Sequence, residues 1–223
     1  MASSKPATGK STPLPPGAGL SEPMRALASE GTPRSYRKGA IIVSEGDMGD
    51  TLYVLQQGSV RIFGADAQAR EVTYATTGAP DYFGEMSLDG GARSASVEAL
   101  EPCQCIVVTA HRVREHIARS PELAFELITK IIARARATTV TVRNLALLDA
   151  YGRLAATLNA LAEPADASGA RPIPARTTHA DLAQRIGTSR EMVSKILRDL
   201  EKGGYIGVDK RHMTLVKKLP AKW

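Results

Sequence analysis

The feature that most limits the fold of this chain is a change of residue period near position 120. Before it, apolar residues fall in short runs that suit strands: Ala40–Val43, Thr51–Gln56, Ser59–Phe63, Glu71–Thr76, Ser94–Ala99 and Gln104–Val108. Turns carrying Gly46, Gly58, Gly78 and the Gly90-Gly91 pair separate them. Short strands at close spacing, punctuated by residues that accept a positive φ, predict an all-β sandwich or barrel from about Ser35 to Val108. After it, from about Pro121 to Leu148, the pattern is helical, and proline following Ser120 is a helix-start signal.

Inside that helix Ile128, Ile131, Ala135, Thr138, Val142 and Leu145 are spaced 3, 4, 3, 4 and 3 residues apart. This spacing makes one a/d seam, which suits pairing with a second helix or packing against the chain's own β domain. Asp149 then stands where it can cap the next helix, Tyr151–Leu161, and act as a hinge. Glu163 to Pro174 reads as a loop. Thr178-His-Ala-Asp181 has the form of a capping box, with a helix through Ile186 and a turn at Gly187. Thr188-Ser-Arg-Glu191 reads as a second capping box, opening a helix to about Lys202 that Gly203 and Gly204 stop. Tyr205–Val208 and Met213–Lys217 flank a polar turn, as in a two-stranded wing. Helix, glycine turn, helix and hairpin together predict a winged helix-turn-helix.

Charge divides at the same boundary. Residues 1–149 carry 16 Lys/Arg against 16 Asp/Glu, whereas residues 150–223 carry 13 against 7. The whole basic excess lies with the predicted helix-turn-helix, which points to a polyanion partner there. Residues 1–23 hold five prolines and read as a disordered tail. No apolar run approaches the ~20 residues of a membrane span, and the N-terminus lacks the apolar core of a secretory signal, so a cytoplasmic location and no membrane partner are expected. Cys103 and Cys105 are two apart in a strand-like run and face one side. No further cysteine or histidine cluster accompanies them, so no metal site is expected. No nucleophile–base pair and no Walker loop occurs, and His111, His116, His179 and His212 form no catalytic pattern; the chain is not expected to be an enzyme.

The second helix of the predicted motif opens on Ser189, Arg190 and Glu191, with Ser194 and Lys195 following. Residues 191 and 195 share a face. Such a helix aims its N-terminal residues into the major groove, where Arg or Lys donates to guanine and Glu accepts from cytosine. Thr178 and Ser189, at helix N-termini, are candidates for phosphate contact. The plainer roles are a capping Glu191 and a Glu191–Lys195 ion pair.

In the β region, Phe83-Gly-Glu-Met-Ser-Leu and Arg93-Ser-Ala can build an anion site. Gly84 permits close backbone approach, Glu85–Leu88 can form a short helix whose N-terminus favours phosphate, and Arg93 offers a charge-assisted fork. The alternative is a turn with a Glu85–Arg93 surface pair.

These two segments, Ile186-Gly-Thr-Ser-Arg-Glu-Met-Val-Ser-Lys-Ile-Leu and the hinge Asn144-Leu-Ala-Leu-Leu-Asp-Ala-Tyr-Gly-Arg resemble, in the same order, the Crp/Fnr family of bacterial regulators over about residues 35–218. The resemblance implies an α+β chain: a disordered tail (1–23), a cyclic-nucleotide-binding β-roll (24–120), a long dimerisation helix (121–148) and a winged helix-turn-helix (149–223). It implies effector contacts from Gly84, Glu85, Met86, Arg93 and Ser94, with Arg134 beside the pocket and Thr138 and Thr139 at the purine. It also implies a homodimer on a palindromic DNA operator and contact with RNA polymerase. The implied effector is cyclic AMP, with cyclic di-GMP as the alternative. Lys195 departs from the arginine of the family's best-known pattern and lacks its bidentate fork. His179 and Ala180 replace polar backbone-contacting residues. A cyclic-nucleotide module without a DNA role is the rival class, and the Ser-Arg-Glu helix start and basic wing argue against it.

Overall fold

The computed structural model describes residues 19–221, except residues 69, 167–168, 175–176 and 210–211. The expectation of a disordered tail lies outside the described residues for 1–18. It fails for 19–23: Leu20 is buried, Ser21 caps helix α1 (Glu22–Ser29) by accepting from Met24 N at 3.1 Å, and Pro23 sits in the first turn, where its missing N–H costs nothing. Met24 and Leu27 of this helix are wholly buried.

Eight strands follow: β1 (Thr32–Tyr36), β2 (Ile41–Val43), β3 (Thr51–Gln57), β4 (Ser59–Ala65), β5 (Glu71–Gly78), β6 (Asp81–Phe83), β7 (Ser96–Ala99) and β8 (Cys103–Thr109). They form two antiparallel sheets of order β1-β8-β3-β6 and β2-β7-β4-β5. The strand period of two sorts the core. In β8, Cys103 and Cys105 point between the sheets with Val43, Leu55, Val60, Phe83 and Val97, while Ile106 and Val108 point outward. That outward face is covered by α1, by helix α2 (Ala110–Arg119) and by the start of α3 (Glu122–Leu147), through Leu52, Val54, Val113, Leu123 and Leu127. Both cysteines are buried thiols.

The long helix settles which way its seam faces. Leu123 and Leu127 are packed on the β domain, but Ile128, Ile131, Val142 and Leu145 of the seam are exposed, each by 44% or more. The seam is therefore not covered by the chain's own β domain. Helix α3 ends at Leu147, and Asp149 caps α4 (Ala150–Leu161) by accepting from Gly152 N at 2.7 Å.

The C-terminal domain has its own core. Tyr151, Leu154 and Leu158 on α4 meet Leu182 and Ile186 on α5 (His179–Ile186) and Val193, Ile196, Leu197 and Leu200 on α6 (Arg190–Lys202). The spacings of three and four residues lay each set on one helix face. Two expectations need correction here. Glu163–Pro174 is not wholly a loop: Arg171–Ile173 forms β9, which pairs with β11 (His212–Leu215), itself paired with β10 (Ile206–Asp209). The wing is thus part of a three-stranded sheet. The second capping box is also displaced: Ser189, not Thr188, is the N-cap of α6 and accepts from Met192 N at 3.2 Å. The first box is present as read, with Thr178 and Asp181 exchanging hydrogen bonds, and Gly187 ends α5 at φ 62°. Among the described residues no helix is long and apolar enough to cross a membrane.

Candidate functional site

Two places bring the candidate residues together. The first lies where β6 runs into a single 3-10 turn, Glu85–Ser87. Gly84 enters it at φ 89°, and a Cβ there would lie 2.8 Å from the Thr51 carbonyl oxygen. Any side chain at 84 is therefore excluded by backbone on both counts. Arg93 is buried beneath this turn. Its Nη1 donates to Thr51 O at 3.0 Å and to Gly84 O at 3.1 Å, and its Nη2 donates to Thr51 Oγ1 at 2.7 Å. The arginine thus ties β3 to the turn. A cleft of about 290 Å³ adjoins it, lined by Ser44, Asp47, Met48, Asp50, Thr51 and Arg93 among others. Ser94 is exposed, as is Met86, and the Ser94 hydroxyl lies 3.5 Å from the Met86 sulfur.

The expected alternative, a Glu85–Arg93 pair, is not what forms. Glu85 pairs instead with Arg134 of α3 through Oε1. The Glu85 side chain is fully buried, and its other oxygen, Oε2, has no hydrogen-bond partner among the described residues. One turn earlier on α3, Lys130 pairs with Asp81, donates to Tyr82 O at 2.6 Å and sits 3.7 Å from the centre of the Tyr82 ring. Burial raises the Asp81 carboxyl, but the hydrogen bonds from Lys130 and Thr77 outweigh it and hold the pKa below the usual range. Burial draws the Lys130 ammonium down. Two ion pairs at i and i+4 therefore fasten the long helix to the segment that carries the turn. Thr138 and Thr139 lie further along α3, exposed, each hydroxyl donating to the carbonyl four residues back at 3.0 Å.

Another hollow on the surface, about 740 Å³, lies elsewhere, against Glu30, Arg112, Glu115 and Arg119. Those four are engaged with one another and with His116 in ion pairs: Arg112 with Glu115, and Glu30 with both Arg119 and His116.

The second place is the start of α6. Arg190, Glu191 and Lys195 are exposed there, and no ion pair joins Glu191 to Lys195 among the described residues. Ser194 is half-buried, with His179 Nδ1 at 2.9 Å from its hydroxyl. The Ser189 and Thr178 hydroxyls cap α6 and α5, each accepting from a backbone N–H of its own helix's first turn.

The comparisons with known proteins address both places. The cyclic nucleotide-binding domain family matches residues 33–120, and the Crp-like helix-turn-helix domain family matches residues 152–221. The cAMP-activated global transcriptional regulator CRP of Pasteurella multocida is 33% identical over 171 residues, covering 74% of this chain and 81% of the relative. The chain belongs to the Crp/Fnr family of transcription regulators. The CRP-like cAMP-activated global transcriptional regulator of Mycobacterium tuberculosis is 30% identical over 187 residues, covering 82% of this chain and 84% of its own. Among solved structures, the Thermus thermophilus catabolite activator protein is 29% identical with a TM-score of 0.53, over 89% of this chain and 92% of that one. The c-di-GMP-responsive global regulator CLP of Xanthomonas campestris shares the fold, with a TM-score of 0.77 at 24% identity over 90% and 99% of the two chains.

As a Crp/Fnr regulator the chain carries its DNA-binding motif in a domain built around α5 and α6, and its homologues are regulators rather than enzymes. Sequence reasoning missed Lys130 and Asp81. Their separation of 49 residues hides the pair, and only the i, i+4 spacing of Lys130 to Arg134 hinted that both cations share a face.

Proposed function

We propose that this regulator is switched by a cyclic nucleotide, cyclic AMP, held at the Gly84–Ser94 turn against α3, and that the bound dimer reads a palindromic operator. The observation that carries it is Glu85. A fully buried carboxylate with an unpartnered oxygen, set beside a positive-φ glycine and a short helical turn, is the acceptor a ribose hydroxyl needs. Gly84, Glu85, Met86, Arg93 and Ser94 form the ribose-phosphate side, and Arg134, Thr138 and Thr139 the side on the long helix. A cleft of about 290 Å³ is small for a nucleotide, which fits a site whose remaining wall comes from a second copy of α3. The exposed seam Ile128–Leu145 is the surface that copy would cover.

A ligand touching both helices shifts the dimer only by its different affinity for two arrangements. Arg134 supplies that difference: a ribose competing for Glu85 alters a contact between the β-roll and the dimer helix. Thr178, Ser189, Arg190, Glu191, Ser194 and Lys195 then meet DNA, the first two at phosphates and the others at base edges, on half-sites about 34 Å apart. Family membership and the cAMP-activated relatives support this reading. Cyclic di-GMP is the second reading, favoured by the fold shared with CLP.

Calorimetric titration with cyclic AMP, cyclic GMP and cyclic di-GMP tests it. Tight cyclic AMP binding, abolished by Arg93→Ala and weakened by Thr138→Ala, is expected. Binding of cyclic di-GMP alone would overturn the roles of Thr138 and Thr139.

A further inference from the structure

We propose that the outer face of the β2-β7-β4-β5 sheet is a seat for the DNA-binding domain, and that Gln184 is the positioning residue that holds the domain there with its reading helix outward. The proposal rests on the DNA-binding reading above. The strand registers place Ile41, Glu98, Arg61 and Thr76 directly opposite one another across four strands, so these side chains share one face. Arg61 is the hub of that face. Its Nη2 donates to Glu98 Oε2 at 2.7 Å and its Nη1 to Glu71 Oε2 at 2.6 Å, and its guanidinium lies 4.1 Å from the centre of the Phe63 ring. The fork is thus held rigidly within its own sheet, with 13% of the side chain exposed.

Gln184 of α5 fits the remaining edge with both ends of its amide. Its Oε1 accepts from Arg61 Nη1 at 2.9 Å, and its Nε2 donates to Glu71 Oε2 at 3.2 Å. A carboxamide satisfies a guanidinium and a carboxylate at once, whereas Glu at 184 would face Glu71 and Lys would face Arg61. The next residue adds a second tie, Arg185 Nη2 donating to Thr76 Oγ1 at 3.0 Å. With α5 seated in this way, Arg190, Glu191, Met192 and Lys195 on α6 are all exposed. The contact therefore presents the reading face rather than covering it. The bonds that make it are polar, the character of a contact that sets a preferred orientation between domains without fusing them.

Orientation matters only when two domains must reach two half-sites together. Binding of the second half-site is then intramolecular, and its strength depends on how often the domain points correctly. Gln184→Ala leaves the domain core and the reading face intact but releases the seat. The test compares affinity for the palindrome that the wild-type protein selects from random DNA with affinity for one isolated half, at fixed salt, with or without cyclic AMP, whichever gives wild type its tighter binding. Losing hydrogen bonds to a charged pair should weaken palindrome binding by about tenfold and leave half-site binding within about twofold. Gln184→Glu should behave like Gln184→Ala. Spin-label distances between β4 and α6, measured without DNA, should broaden in both variants. Equal loss on palindrome and half-site, no loss on either, or a gain on the palindrome would overturn the proposal. If wild type binds no DNA, the function proposed above falls, and an unbroadened distance distribution separately removes the seat.

Discussion

Arg134→Ala is the perturbation whose size the structure best defines. Arg134 neutralises Glu85, whose side chain is fully buried, while its own side chain is 30% exposed. Removing one member of a buried pair costs about 3–5 kcal/mol, because the other charge is left without compensation. Water reaches the Arg134 end, and that screening lowers the expected cost to about 2 kcal/mol. For a chain of this size the loss corresponds to a fall in Tm of about 4–8 °C. The pair of Lys130 with Asp81 stays in place, so α3 is still fastened to the β domain and the measurement reports the one interaction. Urea and thermal unfolding followed by circular dichroism, at one fixed protein concentration, measures it. The decisive control is the Glu85→Gln background, where no buried charge is left to strand. There Arg134→Ala should cost less than about 0.5 kcal/mol. An equal cost in both backgrounds would refute the reasoning, since Arg134 would then contribute by packing rather than by charge.

Three further outcomes follow from other parts of the molecule. Gly84→Ala should abolish cyclic AMP binding in calorimetry while leaving α4–α6 folded, because its Cβ would meet the Thr51 carbonyl at 2.8 Å from a backbone at φ +89°. Asp81 is held below the usual carboxylate range by its hydrogen bonds from Lys130 and Thr77 against the opposing effect of burial, and Glu30 chiefly by its hydrogen bond with His116. A carboxylate depressed on folding adds stability above its unfolded pKa, about 4, and loses it as pH falls through the folded value, so Tm should drop below about pH 4, less steeply in Asp81→Asn. Burial pushes the Cys105 thiol up to about 12 and raises Cys103 as well. Both should resist a disulfide reagent at about pH 8 in the folded protein and react together in urea; rapid labelling of the native protein would contradict the burial.

What the sequence determined by itself follows from local rules. Strand runs with alternating apolar residues, the Thr178–Asp181 capping box, the glycine turn at 187 and the α6 stripe of Val193, Ile196, Leu197 and Leu200 each depend on neighbours within a few positions, so the β-roll, the helix-turn-helix and the helix cap at Asp149 were legible. The strands that escaped, β1, β6 and β9, are all at sheet edges. An edge strand has one partner, tolerates polar residues and even Pro33 or Pro172, and so carries little pattern of its own. Helix α2 escaped because it follows β8 without a break, its only signal being the cap at Thr109. The tertiary structure alone decided the pairings that give the candidate sites their chemistry. Glu85 could have met Arg93, eight residues along the chain, yet its partner is Arg134 on another element. Gln184 meets an arginine 123 residues away. The seam on α3 was open to two readings until Leu123 and Leu127 were found to take the β domain's surface and leave the seam exposed. Charged and amide side chains pair with whatever the packed layers bring within reach, and that reach is set by the fold of the whole chain rather than by spacing along it.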